Sequence, residues 1–164
     1  MTVKKTIAIV GATEKAGVEI VERFSGMPYR LLLVSNNAEH LSQLATDISQ
    51  KNPNAEIDTL ECVKNGCWEA DIIILAVPAC EEKQAAEMMK EVATQKIVVA
   101  VSNAEVEHFL PYCKVVKISF AAKNEMIVSG NNLTANEEIS RIFNQAGYQA
   151  GTAHEHEKIN FRNK

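Results

Sequence analysis

The sequence has no long hydrophobic run, no basic cluster and no paired cysteine motif, and each absence argues against a class of protein. With 17 Lys and Arg residues against 21 Asp and Glu residues, the net charge is -4, so the basic surface of a nucleic-acid-binding domain is lacking. Cysteine spacing indicates neither a disulfide framework nor a thiolate metal site. The four cysteines, which we expect to be free thiols, are Cys62, Cys67, Cys80 and Cys113.

The apolar segments are all short. The first, Thr6–Val10, is too short for a signal-peptide core or a membrane span. We therefore expect a cytoplasmic protein with no membrane partner and no nucleic-acid partner. At 164 residues, with no internal repeat or linker, the chain is expected to form a single domain over residues 1–164.

Strand-length apolar runs alternate with segments of helical periodicity. The predicted strands are Thr6–Val10, Arg30–Val34, Glu56–Leu60, Asp71–Val77, Lys96–Val101, Lys114–Phe120, Met126–Ser129 and Tyr148–Thr152. The predicted helices are Lys15–Phe24, Ala38–Ser49, Glu81–Val92, Ala104–Leu110 and Asn136–Ala146. Residues 61–70 are predicted to be a short connection. Trp68, Met88 and Met89 are expected to pack in the core.

Strands without inward and outward alternation are typical of a parallel sheet covered on both faces. The first six strands fit the order 3-2-1-4-5-6, which predicts an α/β fold with a three-layer, doubly wound parallel sheet. Ligands on this plan bind at the carboxyl ends of strands 1 and 4. The predicted site comprises the turn after Val10, the end of strand 2 near Ser35, Val77-Pro78 and Ser102-Asn103.

The turn after strand 1 is similar to a dinucleotide-binding loop. In that motif one glycine makes the turn, one admits the phosphate and one allows close helix packing, while helix amides hold the pyrophosphate. Here the middle glycine is replaced by Glu14, whose carboxylate costs about 1 to 4 kcal/mol at ~4 Å from a phosphate. Lys15 offsets the charge but not the lost space. The predicted contacts in this turn are Gly11, Ala12, Thr13, Glu14, Lys15, Ala16 and Gly17.

The end of strand 2 carries neither of the charges expected of a dinucleotide site. An NAD site usually has an Asp or Glu here, and an NADP site an Arg for the 2′-phosphate. Ser35 and Asn36 could bond a ribose or a phosphate instead. In the alternative interpretation, Asn37 caps the next helix and Ser35 satisfies the turn.

Several segments together resemble the NADP oxidoreductases that depend on the deazaflavin coenzyme F-420. The most specific is Ala70–Pro78, A-D-I-I-I-L-A-V-P, which is similar to the family's A-D-V-V-x-L-A-V-P. Three other segments are more weakly similar to the family. Residues 11–17 are similar to its G-G-T-G-x-x-G turn, residues 34–40 to its G-S-R-N-x-E-K segment, and residues 99–104 to its strand ending in T-N-P. The resemblance implies a Rossmann-like NAD(P)-binding fold. It places residues 11–17 on the pyrophosphate, Ser35 and Asn36 on the 2′-phosphate, and Val77, Pro78, Ser102 and Asn103 along the ribose and nicotinamide.

Two functions follow from this resemblance. The first is hydride transfer between NADP(H), or NAD(H), and an unknown small-molecule substrate. The second is a non-catalytic sensor with weakened nucleotide binding, because Gly11–Gly17 also resembles the atypical short-chain dehydrogenase relatives. No pattern supplies a catalytic acid or base, and the family's further helices for substrate binding and dimerisation are not expected here. An apolar face near strand 6 favours a homodimer.

No metal site is predicted. His154 and His156 place two imidazoles on one face of an extended segment, but a site needs at least a third ligand. We interpret them as part of a solvated tail.

Overall fold

A computed structural model describes residues 4–101 and 105–152 of the chain. Ser102, Asn103, His154 and His156 lie outside the described residues. The strands are β1 Thr6–Val10, β2 Arg30–Val34, β3 Glu56–Leu60, β4 Ile72–Leu75, β5 Ile97–Ala100, β6 Lys114–Phe120, β7 Glu125–Ser129 and β8 Gln149–Thr152. The helices are α1 Lys15–Phe24, α2 Ala38–Lys51, α3 Val63–Glu69, α4 Glu82–Met89 and α5 Leu133–Gln145, and short 3₁₀ turns cover Ala79–Glu81 and Val106–His108.

The strands form one sheet in the order β3-β2-β1-β4-β5-β6-β7-β8. The first six strands are parallel and have the predicted doubly wound order. The strand order reverses between β1 and β4, whose registers align Val10 with Leu75. The carboxyl ends of these two strands therefore form the switch point at which such folds bind ligands.

Two apolar cores cover the two faces of the sheet, which confirms the three-layer prediction. Along β1 the side chains alternate, with Ile7 and Ile9 in one core and Ala8 and Val10 in the other. Helices α1, α2 and α5 contribute to the first core and α3 and α4 to the second. Because strands β1, β4 and β5 are buried on both faces, they read in the sequence as unbroken apolar runs.

Beyond the six strands of the predicted order the sheet is no longer wholly parallel, because β6 and β7 pair antiparallel. Only four residues, 121–124, separate these two strands. A parallel crossover needs a dozen or more residues, whereas a short turn can join an antiparallel pair. Strand β8 then returns through α5 and lies parallel to β7.

The predicted connection between β3 and β4 contains helix α3. This helix buries Gly66 and Cys67, so the adjacent Trp68 turns outward and is 69% exposed. Met88 is likewise 49% exposed, because α4 buries Ala85, Ala86 and Met89 instead. The predictions of core positions for Trp68 and Met88 were wrong, and that for Met89 is confirmed.

The helices of residues 4–101 and 105–152 are short. The longest is α2, with 14 residues. None of them combines the length and apolar character needed to span a membrane.

Candidate functional site

Gly11 makes the turn that leads from β1 towards α1. Its φ of 85° lies in the left-handed region, which costs a residue with a Cβ about 1–2 kcal/mol. A Cβ at this position would also lie 2.9 Å from the carbonyl carbon of Ala76 and from the amide nitrogen of Val77. The backbone after β1 and the backbone after β4 therefore touch at the switch point, and this contact requires glycine.

Gly17 allows the first turn of α1 to pack on the same loop. A Cβ here would lie 2.2 Å from the carbonyl oxygen of Gly11 and 3.0 Å from the Cα of Ala12. Both neighbours are backbone atoms, so neither can move without distorting the turn. The outer glycines of the predicted motif are thus explained by close backbone contacts at both positions.

Helix α1 begins without a side-chain cap. Glu14 is its N-cap residue and accepts the first helical bond from Val18 at 2.8 Å, but its carboxylate bonds to no helix amide. Among the described residues, the amides of Lys15, Ala16 and Gly17 have no protein acceptor. Free amides at the positive end of a helix are suited to bind a phosphate.

Glu14 occupies the position of the missing middle glycine without backbone strain. Its φ of -74° and ψ of 159° are extended and open to any residue. The side chain is exposed and lines the cleft in front of α1. Its effect on an anionic ligand is therefore one of charge and volume, while the conformation of the turn is preserved.

Ser35 ties the end of β2 to the turn after β1. Its hydroxyl lies 2.8 Å from the hydroxyl of Thr13 and accepts a bond from the amide of Asn37 at 3.1 Å. Asn37 caps α2 by accepting from the amide of His40 at 3.1 Å. The alternative interpretation of Ser35 and Asn37 as turn and capping residues is confirmed, and Ser35 is buried.

A cleft of about 610 Å³ opens at the switch point. Of the residues predicted to bind a cofactor, its lining includes Gly11, Glu14, Ser35, Asn36 and Val77. The other predicted residues within the described range, which are outside the lining, are Ala12, Thr13, Lys15, Ala16, Gly17 and Pro78. Ala12 is fully buried, and its amide donates to the carbonyl of Val34 at 3.2 Å.

Sequence reasoning missed the far side of the cleft. The additional lining residues follow β3 or lie on and just before α4 and in the segment after it: Glu61, Cys62, Val63, Lys64, Glu81, Gln84, Ala85, Glu87, Met88 and Glu91. The pairing of Val34 with Leu60 brings the residues after β3 beside those after β2. The predicted strand order already implies that the residues after β3 lie beside those after β2, because the carboxyl ends of neighbouring parallel strands meet at one edge of the sheet.

The charged side chains that line the cleft are mainly acidic. Among the described lining residues, five are glutamates and the only cation is Lys64. Its ammonium lies 3.5 Å from the carboxylate of Glu91, and both side chains are exposed. The lining therefore carries an excess of negative charge.

Helix α3 supports the cleft from behind. Lys96 donates to the carbonyls of Cys67 and Trp68 at 2.7 and 2.8 Å, which places a cation at the carboxyl end of this short helix. Burial raises the pKa of the Cys67 thiol to about 12. A Cβ on Gly66 would lie 2.7 Å from a methyl group of Val34, so glycine lets α3 lie close against β2.

Within residues 4–101 and 105–152, no group of three His, Cys, Asp or Glu side chains is arranged to hold a metal ion.

Similar folds occur among solved structures of dehydrogenases and reductases. A pyrroline carboxylate reductase from Plasmodium falciparum, solved with NADP bound, has a TM-score of 0.70 and 13% identity over 90% of this chain. A pyrroline-5-carboxylate reductase from Coxiella burnetii has a TM-score of 0.71 and 14% identity over 93% of this chain. A protein from Arthrobacter sp. FB24 assigned as an F420-dependent NADP reductase has a TM-score of 0.69 and 15% identity over 89%.

This chain thus has a Rossmann-like fold. It spans 57% and 59% of the length of the two pyrroline carboxylate reductases, and 82% of the Arthrobacter protein. No family model matches the sequence, and no curated protein matches it either. At these identities the likeness shows the fold alone.

Proposed function

We propose that this domain binds a pyridine dinucleotide, NAD(H) or NADP(H), and serves as the cofactor-binding part of an oxidoreductase. The observation that carries the proposal is the contact of Gly11 with the backbone after β4, which forms a glycine-dependent cradle at the switch point. The uncapped amino end of α1 adjoins this cradle. Such an arrangement suits a pyrophosphate.

The turn residues fit the phosphate-bearing part of such a cofactor. The free amides of Lys15, Ala16 and Gly17 would donate to the pyrophosphate, and Gly11 allows the turn that places them beside the backbone after β4. Val77 would lie along the ligand on the β4 side of the cleft. When bound, the nicotinamide supplies or accepts the hydride, and the protein supplies its orientation.

The experiment is a titration with NADH, NADPH and their oxidised forms, followed by nicotinamide fluorescence and by calorimetry. Binding in the sub-millimolar range supports the proposal, and absence of binding at millimolar concentration contradicts it. The variant Gly11→Ala serves as a site control, because its Cβ would collide with the backbone after β4 and distort the turn. Its folding must be checked first by circular dichroism.

We further propose that a deazaflavin of the F420 type is the hydride partner. The segment Ala70–Pro78 supports this, as does the large share of the Arthrobacter protein that this chain spans. Reduced nicotinamide would give a hydride, and water a proton, to the oxidised deazaflavin. The test follows the visible absorbance of the deazaflavin after mixing with the protein and NADH or NADPH. Cofactor binding without any absorbance change would contradict this second step only.

A non-catalytic sensor is the second candidate. The observation that favours it is the absence of any histidine or tyrosine from the described residues that line the cleft, so histidine, the most frequent general acid and base, does not face the ligand there. Dinucleotide binding without turnover of any carbonyl, imine or deazaflavin substrate would support this function. A homodimer and a cytoplasmic location stay predictions, which gel filtration and cell fractionation can test.

A further inference from the structure

We infer that the cleft prefers NAD(H) to NADP(H), and that Glu61 determines this preference. The inference rests on the proposed function, since it specifies which dinucleotide the same cleft accepts. It concerns the end of the cleft formed by the residues after β2 and β3. These residues would face the ribose of the adenosine half when the pyrophosphate lies on α1.

The end of β2 provides few groups that could bind this ribose. Ser35 is buried, and its hydroxyl is engaged by Thr13 and by the amide of Asn37. Asn36 is exposed and lines the cleft, but it is uncharged. In such folds an acidic residue at the end of β2 binds a ribose hydroxyl, or an arginine there binds a 2′-phosphate. This chain has no charged residue at that position.

The adjacent strand provides the carboxylate that β2 lacks. The amide of Ser35 donates to the carbonyl of Leu60 at 3.3 Å, so Glu61 begins the segment beside Asn36. Glu61 is exposed and lines the same cleft. A carboxylate accepts hydrogen bonds only, so it suits the hydroxyls of a ribose and repels a phosphate.

The rest of the lining reinforces this preference. The other carboxylates of the described lining belong to Glu14, Glu81, Glu87 and Glu91, and Lys64 is already paired with the last of these. A 2′-phosphate adds close to two negative charges to the ligand. No arginine lines the cleft among the described residues, so nothing there offers the bidentate contact that phosphates favour.

The test compares the dissociation constants of NADH and NADPH for the full chain and its variants. We expect the unmodified protein to bind NADH at least about tenfold more tightly than NADPH, since like charges repel across the cleft. Glu61→Arg should reduce or invert this ratio by about tenfold or more, because it replaces a carboxylate by a phosphate-binding group. Glu61→Gln, which keeps the shape of the side chain, should shift the ratio in the same direction by a smaller factor.

The ratio of the two affinities is the decisive readout, because a variant that only disturbs the fold weakens both ligands equally. The matched control is Glu56→Gln, at the opposite end of the strand that Glu61 follows, where the carboxylate pairs with Lys4 at 2.8 Å. This control should leave the ratio unchanged. Equal binding of both cofactors, tighter binding of NADPH, or a ratio insensitive to both Glu61 variants would overturn the inference and leave the proposed function standing. Binding of neither cofactor would overturn both.

Discussion

The two walls of the cleft are built by different kinds of contact. The turn wall, residues 11–17, is held by close backbone packing: a Cβ on Gly11 would lie 2.9 Å from the backbone after β4, and a Cβ on Gly17 would lie 2.2 Å from the carbonyl oxygen of Gly11 within the turn itself. The α3 wall, residues 61–69, meets the sheet through side chains, with Gly66 against a methyl group of Val34. Backbone contacts cannot be relieved by a change of rotamer, whereas side-chain contacts can.

The two walls therefore contribute differently to the cleft, the turn wall through its backbone shape and the α3 wall through charged side chains. The turn wall keeps its close backbone packing, even though Glu14 replaces the middle glycine of the predicted motif. The α3 wall carries Glu61 and Lys64, which contribute charge to the lining without shaping the turn. We therefore expect glycine substitutions to destabilise the turn wall more than the α3 wall, and substitutions of charged residues on either wall to change ligand binding.

The largest effect is expected for Gly17→Ala. The new Cβ would lie 2.2 Å from the carbonyl oxygen of Gly11, so the turn must open, at a cost of about 3 kcal/mol or more. Gly11→Ala should cost nearly as much. Its Cβ would lie 2.9 Å from backbone atoms after β4, and alanine is strained at a φ of 85°. The measurement is the free energy of unfolding from denaturant titration.

Gly26→Ala is the matched control for both variants. A Cβ at Gly26 meets no atom within 4 Å, and its backbone is not in the left-handed region. We expect it to leave stability unchanged or to raise it by about 0.4–1 kcal/mol. A loss for Gly17→Ala no larger than for Gly26→Ala would show that the turn is not held by backbone contact.

The next largest effect is a loss of folding stability at alkaline pH, caused by Cys67 in the α3 wall. Burial raises the pKa of the Cys67 thiol from 9.0 to about 12, so the folded protein keeps its proton where the unfolded chain loses it. The resulting stability is fully present below pH 9 and is lost as the pH rises towards 12. One pH unit into this window, the loss amounts to about 1.4 kcal/mol.

Cys67→Ala isolates this contribution. The variant should be less stable at neutral pH because it leaves a cavity, but its stability should fall less steeply above pH 9. Tyr148, whose pKa burial raises to about 12, contributes to the slope of both proteins and cancels in the difference. Identical slopes for Cys67→Ala and the unmodified protein would refute the assignment.

A smaller effect is expected for Glu14→Gly on dinucleotide binding. Removing the carboxylate eliminates a repulsion of about 1 kcal/mol at the water limit, so affinity should rise about fivefold. The helix should tolerate the change, because Glu14 makes no capping bond and glycine is acceptable at an N-cap. Calorimetric titration with NADH measures the change.

Comparing Glu14→Gln with Glu14→Gly distinguishes the effect of the charge of Glu14 from the effect of its side-chain volume. If charge dominates, the glutamine variant should gain most of the affinity that the glycine variant gains. If volume dominates, only the glycine variant should bind more tightly. Unchanged affinity in both variants would mean that the carboxylate points away from the phosphates.

The sheet and the turn wall could be predicted from the sequence because their signals are local. Unbroken apolar runs such as Ile72–Leu75 mark strands buried on both faces, and glycine at positions 11 and 17 marks backbone contacts. The capping role of Asn37 was also readable, since its side chain bonds an amide three residues later. The pairing of β6 with β7 was readable in principle from the length of their connection.

The α3 wall could not be predicted because its signals depend on tertiary contacts. Helix α3 has only seven residues and a central glycine, which weakens both periodicity and helix propensity. Trp68 faces solvent because Cys67 occupies the buried position beside it, a choice that depends on where Lys96 and Val34 lie. The acidic lining likewise assembles from segments that are distant in the sequence.

The smallest effect is expected for Gly66→Ala, the counterpart of Gly17→Ala on the α3 wall. Both glycines lie in helices, so alanine gains about 1 kcal/mol of helix propensity at either position. At Gly66 the opposing contact is a Val34 methyl group at 2.7 Å, and overpacking of a side chain costs about 1–3 kcal/mol. The difference is a loss of about 0–2 kcal/mol, and because the Val34 side chain can change its rotamer we expect the lower half of this range. The double variant Gly66→Ala with Val34→Ala should lose less stability than the sum of the single losses, because the shortened side chain makes room for the new Cβ. Strict additivity in denaturant titration, or a loss for Gly66→Ala equal to that of Gly17→Ala, would mean that the two walls are held in the same way.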